Sequence, residues 1–335
     1  MGRKFGRTNI FLIGANLLMG VMLLMSLSTT DDGRYATPSS DDDDVYFTPN
    51  TEQLGVWWWN RDKMTDLSYL DFAYRSGVTE IYFNQNELSI VNPNGTFGPN
   101  GMADVVEPTR AFIREAHDRG IQVYLLLSNT GTWLLEDHDT HFHQLMLGLR
   151  TYQKLVDEAE RFAGLHLNIE PNQLRNEHHE RYWDLGFEKQ NDLMQRLMDF
   201  AVMVTQQYGD DVTVDWATGF WWQNFEVEYR GEIMPLHHAL ITEANRTFVM
   251  SFRTNAYDTV QVAKSHIDFA KSLEKPIFLG ANIASTEGLK TDQYYHLGRL
   301  HMYQELLKIP HYANYDNLHL VVHEIVRWRH WRTWR

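Results

Sequence analysis

Eight short apolar runs, separated by stretches whose apolar residues recur at helical spacing, constrain this chain more than any other feature. The runs are Leu54–Asn60, Val78–Asn84, Ile121–Ser128, Gly164–Glu170, Val212–Trp216, Thr247–Phe252, Pro276–Asn282 and Leu318–Glu324. The helical stretches include Asp66–Arg75, Thr109–Arg119, Leu145–Phe162, Asp192–Tyr208, Val260–Leu273 and Tyr294–Leu307. Strand–helix alternation builds a parallel sheet with helices on the outside. Eight repeats in fewer than 300 residues match a (β/α)8 TIM barrel in number and length. A doubly wound open sheet is the alternative. No run, however, is followed by the G-x-G-x-x-G turn that nucleotide-binding versions use. The expected class is α/β, with the barrel as a single domain over residues 51–335.

Two segments precede that domain. Arg3, Lys4 and Arg7 stand before an apolar stretch from Ile10 to Leu27, so residues 1–28 read as a signal peptide or an uncleaved signal anchor. Residues 29–50 read as an acidic flexible linker around Asp41–Asp44, a run without the spaced ligands and turn glycine of a calcium loop. The expected location is secreted or periplasmic, with membrane attachment only through residues 10–27. A net charge of −14 argues against an electrostatic grip on nucleic acid. The absence of cysteine excludes disulfides, thiolate zinc sites and a cysteine nucleophile. No cofactor motif is present, nor a P-loop, a G-x-S-x-G elbow or an H-E-x-x-H helix.

In such barrels the chemistry lies where strands end. The ends here carry aromatic rings among amides and acids, which suit a carbohydrate with its C–H-rich faces and hydroxyl rim. The residues expected to bind it are Trp58, Tyr82, Asn84, Ser128, His166, Asp215, Trp216, Arg253, Asn282, His323 and Glu324. In the fourth run, alternation puts Leu165, Leu167 and Ile169 on one face and His166, Asn168 and Glu170 on the other. The apolar face should meet the helices, which aims the polar three into the barrel. Glu170 then stands at the rim before Pro171, placed to act as a general acid/base on a glycosidic bond.

The segment Phe162-Ala163-Gly164-Leu165-His166-Leu167-Asn168-Ile169-Glu170 resembles the F-D-G-x-D-x-D-x-E strand of family 18 chitinases, matching at the phenylalanine, the glycine and the final glutamate. The Asn168-x-Glu170 pair is closer to family 85 endo-β-N-acetylglucosaminidases, whose corresponding strand ends G-x-x-x-N-x-E. Leu126–Gly131 and Met250-Ser251-Phe252-Arg253 are weaker echoes of two other chitinase strands. The resemblance implies a glycoside hydrolase working by substrate-assisted retention. The sugar's own 2-acetamido oxygen would attack the anomeric carbon, Asn168 would orient that group, and Glu170 would protonate the leaving oxygen. His166, Phe252 and Arg253 depart from the chitinase pattern, which argues against chitin itself as substrate.

Other readings stay open at this point. A two-carboxylate route needs a second acid, for which Asp215 and Glu324 are the candidates. A non-catalytic carbohydrate-binding barrel has the same strand ends. A metal-dependent hydrolase could use His138, His141 and His143, but the first run lacks the H-x-H of amidohydrolase barrels. The expected site therefore holds no metal.

Overall fold

Near-continuous apolar runs become parallel strands buried on both faces, and such runs recur here around a closed ring. The computed structural model describes residues 46–135, 139–176, 178–283 and 292–331. Segment 1–28 and the Asp41–Asp44 run lie outside the described residues. Among the described residues ten strands form: β1 (Leu54–Trp58), β2 (Glu80–Asn84), β3 (Gln122–Asn129), β4 (Gly164–Ile169), β5 (Thr213–Gly219), β6 (Glu226–Tyr229), β7 (Glu232–Pro235), β8 (Arg246–Met250), β9 (Ile277–Asn282) and β10 (Leu318–His323). Eight of them close a parallel barrel in the order β1-β10-β9-β8-β5-β4-β3-β2. β6 and β7 form a separate antiparallel hairpin, absent from the sequence reading because it is only four residues per strand.

The helices depart from expectation mostly at their ends. The expected Leu145–Phe162 helix runs Thr140–Leu155 instead, because a capping box between Asp157 and Glu160 starts a separate turn. The expected Val260–Leu273 helix is split into Ala256–Val262 and Lys264–Ser272 at Ala263. Gly77, at φ +71° and with Pro49 packed where a Cβ would stand, makes the turn that delays β2 to Glu80. The last helix, Ile325–His330, folds back beside β1, and Trp328 donates from Nε1 to Tyr303 at 2.9 Å. Among the described residues no helix is long and apolar enough to cross a membrane.

The barrel interior is layered. Lowest lies an ion cluster: Arg246 donates to both oxygens of Asp215 (3.0 and 2.6 Å) and both of Glu80 (2.7 and 2.9 Å), and all three are buried. Tyr82 donates to Glu80 from its hydroxyl, and the Arg246 guanidinium lies 4.4 Å from the Tyr124 ring centre. Above it rings fill the bore: Tyr82 meets His166 at 4.5 Å, His166 meets Phe248 at 4.5 Å, and Phe248 stacks on Phe278 at 4.1 Å. The outer cluster, where the sheet meets the helices, holds Trp58, Leu165, Leu167, Ile169 and Trp216.

Candidate active site

Strand alternation decides which side chains reach the mouth. On β1 the inner face is Gly55, Trp57 and then Trp59 beyond the strand's end, because Gly55 leaves room for the Tyr82 ring, which a Cβ would meet at 2.6 Å. Trp58 therefore points outward, against Tyr69, Phe83 and Phe112, and does not join the site expected for it. Trp216 is corrected for the same reason: it faces outward against Phe200. Tyr82 and Asp215 do face inward, yet they are fully buried in the lower interior. Asp215 is committed to Arg246; burial pushes its carboxyl up to about 6, with the guanidinium opposing. It is therefore neither at the mouth nor free to act as a second acid.

His166 also lies beneath the mouth, fully buried, and accepts a 3.0 Å hydrogen bond at Nε2 from Trp57 Nε1. An indole N–H can only donate, so this imidazole is neutral with its proton on Nδ1. Burial, assisted by the Arg246 charge, holds its pKa well below the ordinary value. The same device recurs one layer higher. Trp59 Nε1 donates to His323 Nε2 at 2.9 Å, and burial takes His323 down to about 4. His323 Nδ1 has no hydrogen-bond partner among the described residues.

At the mouth itself a cavity of about 530 Å³ is lined by Trp59, Asn60, Glu170, His323, Glu324 and Arg327, among others. Glu170 is partly exposed there, and amides hold both of its oxygens. Asn168 Nδ2 donates to Oε1 at 3.2 Å, and Gln173 Nε2 donates to Oε2 at 2.6 Å. Asn168 is 6% exposed, and its Oδ1 is buried without a partner among the described residues. Ser128 is the β3 residue in register with Asn168, and Asn282 is the β9 residue in register with His323. Asn84 ends β2 in inward register above Tyr82, partly exposed.

The remaining nominated groups are more constrained than expected. Glu324 lines the cavity, but its carboxylate caps the final helix, accepting from the backbone N–H of Val326 (3.2 Å) and Arg327 (2.8 Å). Burial raises its pKa against the pull of those donors. The peptide joining His323 to Glu324 is cis. Arg253 is clamped between Asp292 (3.2 Å) and the Phe220 ring, 4.6 Å from its guanidinium carbon. Trp59, Gln173 and Arg327 belong to the site but were not singled out from the sequence. The signal for Trp59 was Gly55, which fixes the inward parity of its strand.

Of the three histidines of the metal reading the structure describes two, His141 and His143. His138 lies outside the described residues. His143 is engaged by the Tyr208 hydroxyl (2.8 Å) and Asp139 (3.2 Å), while His141 sits two residues away on the same helix, where side chains diverge. Among the described residues no group of three potential ligands is placed to hold a metal ion.

No protein-family model matches the chain, and no curated protein matches it. Solved structures do. The chain is similar to a beta-glycosidase from Pyrococcus horikoshii, with 11% identity, 83% of this chain and 85% of that one covered, and a TM-score of 0.53. It is more distantly similar to an endo-1,4-beta-D-mannanase from Thermotoga petrophila, with 15% identity, coverage of 81% and 88%, and a TM-score of 0.45. A beta-mannanase from the blue mussel Mytilus edulis stands at 11% identity, coverage of 84% and 87%, and 0.43. At these identities the likeness shows the (β/α)8 barrel. These three are a glycosidase and two mannanases, while an enolase and a D-psicose 3-epimerase are similar as well, so the likeness is one of fold.

Proposed function

We propose that this chain is a glycoside hydrolase acting on a poly- or oligosaccharide, and that it cleaves 2-acetamido sugars by substrate-assisted retention. The observation that carries the reading is the Asn168–Glu170 pair. Asn168 turns its N–H to Glu170 and leaves a buried carbonyl oxygen that accepts no hydrogen bond from the described residues. An unpaired buried acceptor is costly, and an acetamido N–H entering from the mouth would satisfy it. In the first step the acetamido oxygen bonds to the anomeric carbon as the glycosidic C–O bond breaks, and Glu170 gives its proton to the departing oxygen. In the second, water attacks the same carbon from the vacated side, Glu170 takes back a proton, and the acetamido group is released. The carboxylates nominated for a two-carboxylate route are both committed elsewhere, Asp215 to Arg246 and Glu324 to a helix cap. The basic start and the apolar stretch at residues 10–27 further support a secreted or periplasmic protein, a placement testable by N-terminal sequencing of the mature chain.

The test uses the full chain with matched 2-acetamido and 2-hydroxy aryl glycosides. Glu170→Gln lowers turnover by about 100- to 10,000-fold, the usual worth of acid–base help. Asn168→Ala slows only the 2-acetamido substrate, and a thiazoline mimic of the cyclic intermediate binds tightly. Equal cleavage of both sugars, with the thiazoline ignored, refutes substrate assistance. Saturable binding without release of reducing ends makes the barrel a carbohydrate-binding module instead.

A further inference from the structure

We propose a second carbohydrate site, a groove outside the barrel mouth that holds a neutral oligosaccharide without cleaving it. The groove has a volume of about 670 Å³ and, among the described residues, shares no lining residue with the cavity at Glu170. It is built from the segments that follow β4 and β5, so it belongs to the same end of the barrel as the mouth. One wall is the start of the helix Phe187–Tyr208, where Phe187, Asn191 and Gln195 recur every four residues and share a face. The opposite wall is the β6–β7 hairpin, which turns Glu226 and Glu228 outward from buried Val227 and Tyr229 and adds Ile233. Gln223 and Asn224 bring two more amides from the turn between.

Two observations show that the walls are fixed before any ligand arrives. Gln195 brackets the Glu228 peptide, accepting from its N–H at 2.8 Å and donating to its carbonyl at 3.0 Å, which ties hairpin to helix. Phe187 stacks on buried Phe225 at 6.1 Å and 22°, and Trp183 packs against Phe225 in turn at 5.3 Å. The Phe187 ring is thus anchored on one side while the residue stays 65% exposed, and Ile233 is 67% exposed. Isolated exposed apolar residues are ordinary, but here both line one groove.

The lining selects the ligand. Gln195 is spent on the hairpin, but Asn191, Gln223 and Asn224 are amides that both donate and accept, as a ring of hydroxyls requires, and a held aromatic face suits the C–H side of a sugar. Asp192, Glu226 and Glu228 bring negative charge and, among the described residues, no lysine or arginine lines the groove, so an anionic polymer is repelled. A basic peptide is the competing occupant. Asp192 already pairs with Arg196 at 3.1 Å, and the two glutamates are exposed, where attraction to a cation is weak. The amides and the ring therefore decide for the neutral glycan. The proposal does not depend on the reaction assigned to Glu170.

The experiment takes the full chain carrying Glu170→Gln, expected to slow any turnover, and measures fluorescence anisotropy with labelled chitohexaose, cellohexaose and mannohexaose. At least one is expected to bind. Adding Phe187→Ala should weaken that binding about fivefold, one ring's stacking being worth on the order of 1 kcal/mol, and Gln223→Ala should weaken it a few-fold. Both residues lie at the surface, and circular dichroism verifies that the variants fold. In the otherwise unaltered chain, Phe187→Ala should leave kcat/KM on a short aryl glycoside unchanged. If Phe187-dependent binding persists while no glycoside is cleaved, the groove stands and the catalytic reading falls. If no hexasaccharide binds, if Phe187→Ala binds as well as its parent, or if a labelled nona-arginine peptide binds and no glycan displaces it, the groove is not a carbohydrate site.

Discussion

Arg246→Met is the most informative single perturbation of the barrel, because one guanidinium satisfies two buried carboxylates. The wild-type side chain makes four hydrogen bonds, two to Asp215 and two to Glu80, and neither acid has solvent to fall back on. Methionine keeps much of the volume between Tyr124, Phe248 and Phe278 but leaves both carboxylates without their cation. Breaking a buried pair from one side costs about 3–5 kcal/mol. The cost should depend on pH, and its sign follows from Asp215. Its folded pKa, about 6, lies above the unfolded value near 3.8, so its contribution is present at low pH and lost as pH rises through 6. Removing the cation that opposes this shift moves the folded pKa higher and carries the loss into the neutral range. Urea unfolding at pH 5, 6, 7 and 8 should therefore show the largest penalty at pH 7–8, shrinking toward pH 5. Adding Glu80→Gln and Asp215→Asn should recover much of it, since amides can be buried without charge. A penalty below about 1 kcal/mol, or one that does not change with pH, refutes the view that this cluster is a charge-balanced unit.

The wild-type protein should also lose stability as pH falls from about 6.5 to 4. His166, His237, His266, His319 and His323 are all held below the ordinary histidine value, foremost by burial, so the unfolded chain takes up protons that the folded chain refuses. These five outweigh the opposing Asp215, and an imidazole NMR titration showing His323 with a midpoint above 6 would contradict the Trp59 hydrogen bond that fixes its tautomer. The two neighbouring tryptophans separate stability from binding. Trp58→Ala should cost about 3–5 kcal/mol by calorimetry with glycan affinity intact in the folded fraction, while Trp59→Ala should cost less stability and weaken glycan binding at the mouth. The reverse pattern would mean that the parity of β1 is misassigned.

The barrel was legible because its evidence is periodic. Eight apolar runs with helical spacing between them leave few closed arrangements, and all eight runs became barrel strands. Strand four was legible for the same reason: Leu165, Leu167 and Ile169 mark the outer face, so Asn168 and Glu170 had to point in. β1 was ambiguous because three successive tryptophans erase the alternation, and only Gly55, read against the Tyr82 ring, resolves it. Depth was not legible at all. Nothing in the run Val212–Trp216 says that Asp215 lies at the bottom of the bore, because depth depends on the stagger between strands, and β5 pairs Asp215 with Arg246 at the start of β8. Likewise, the capping role of Glu324 depends on a helix beginning at the next residue, Ile325.

That stacking has a consequence for chemistry at the mouth. The ion cluster and the ring layer fill the bore from below, and the Trp57–His166 pair closes it directly under Asn168, so substrate can approach Glu170 only from above. Inward-facing residues two apart along a strand are separated by roughly 6.6 Å. Asn168 is therefore rooted one layer beneath Glu170, with its amide N–H reaching the carboxylate at 3.2 Å and its oxygen buried, without a partner among the described residues. On the proposed reading this orders the sugar: the acetamido group enters first and reaches the lower layer, while the scissile oxygen stays at the rim beside Glu170. A substituent bulkier than acetyl on the 2-amino group would be stopped by His166 and the rings below it. Exchanging His166 for a smaller residue should then admit a 2-propionamido or 2-butyramido glycoside that the parent excludes. Inhibition constants of the corresponding thiazolines, measured on parent and His166→Ala, read this directly. If the longer acyl chains bind the parent as well as the acetyl compound does, the acetamido group does not occupy the lower layer and Asn168 does not hold it.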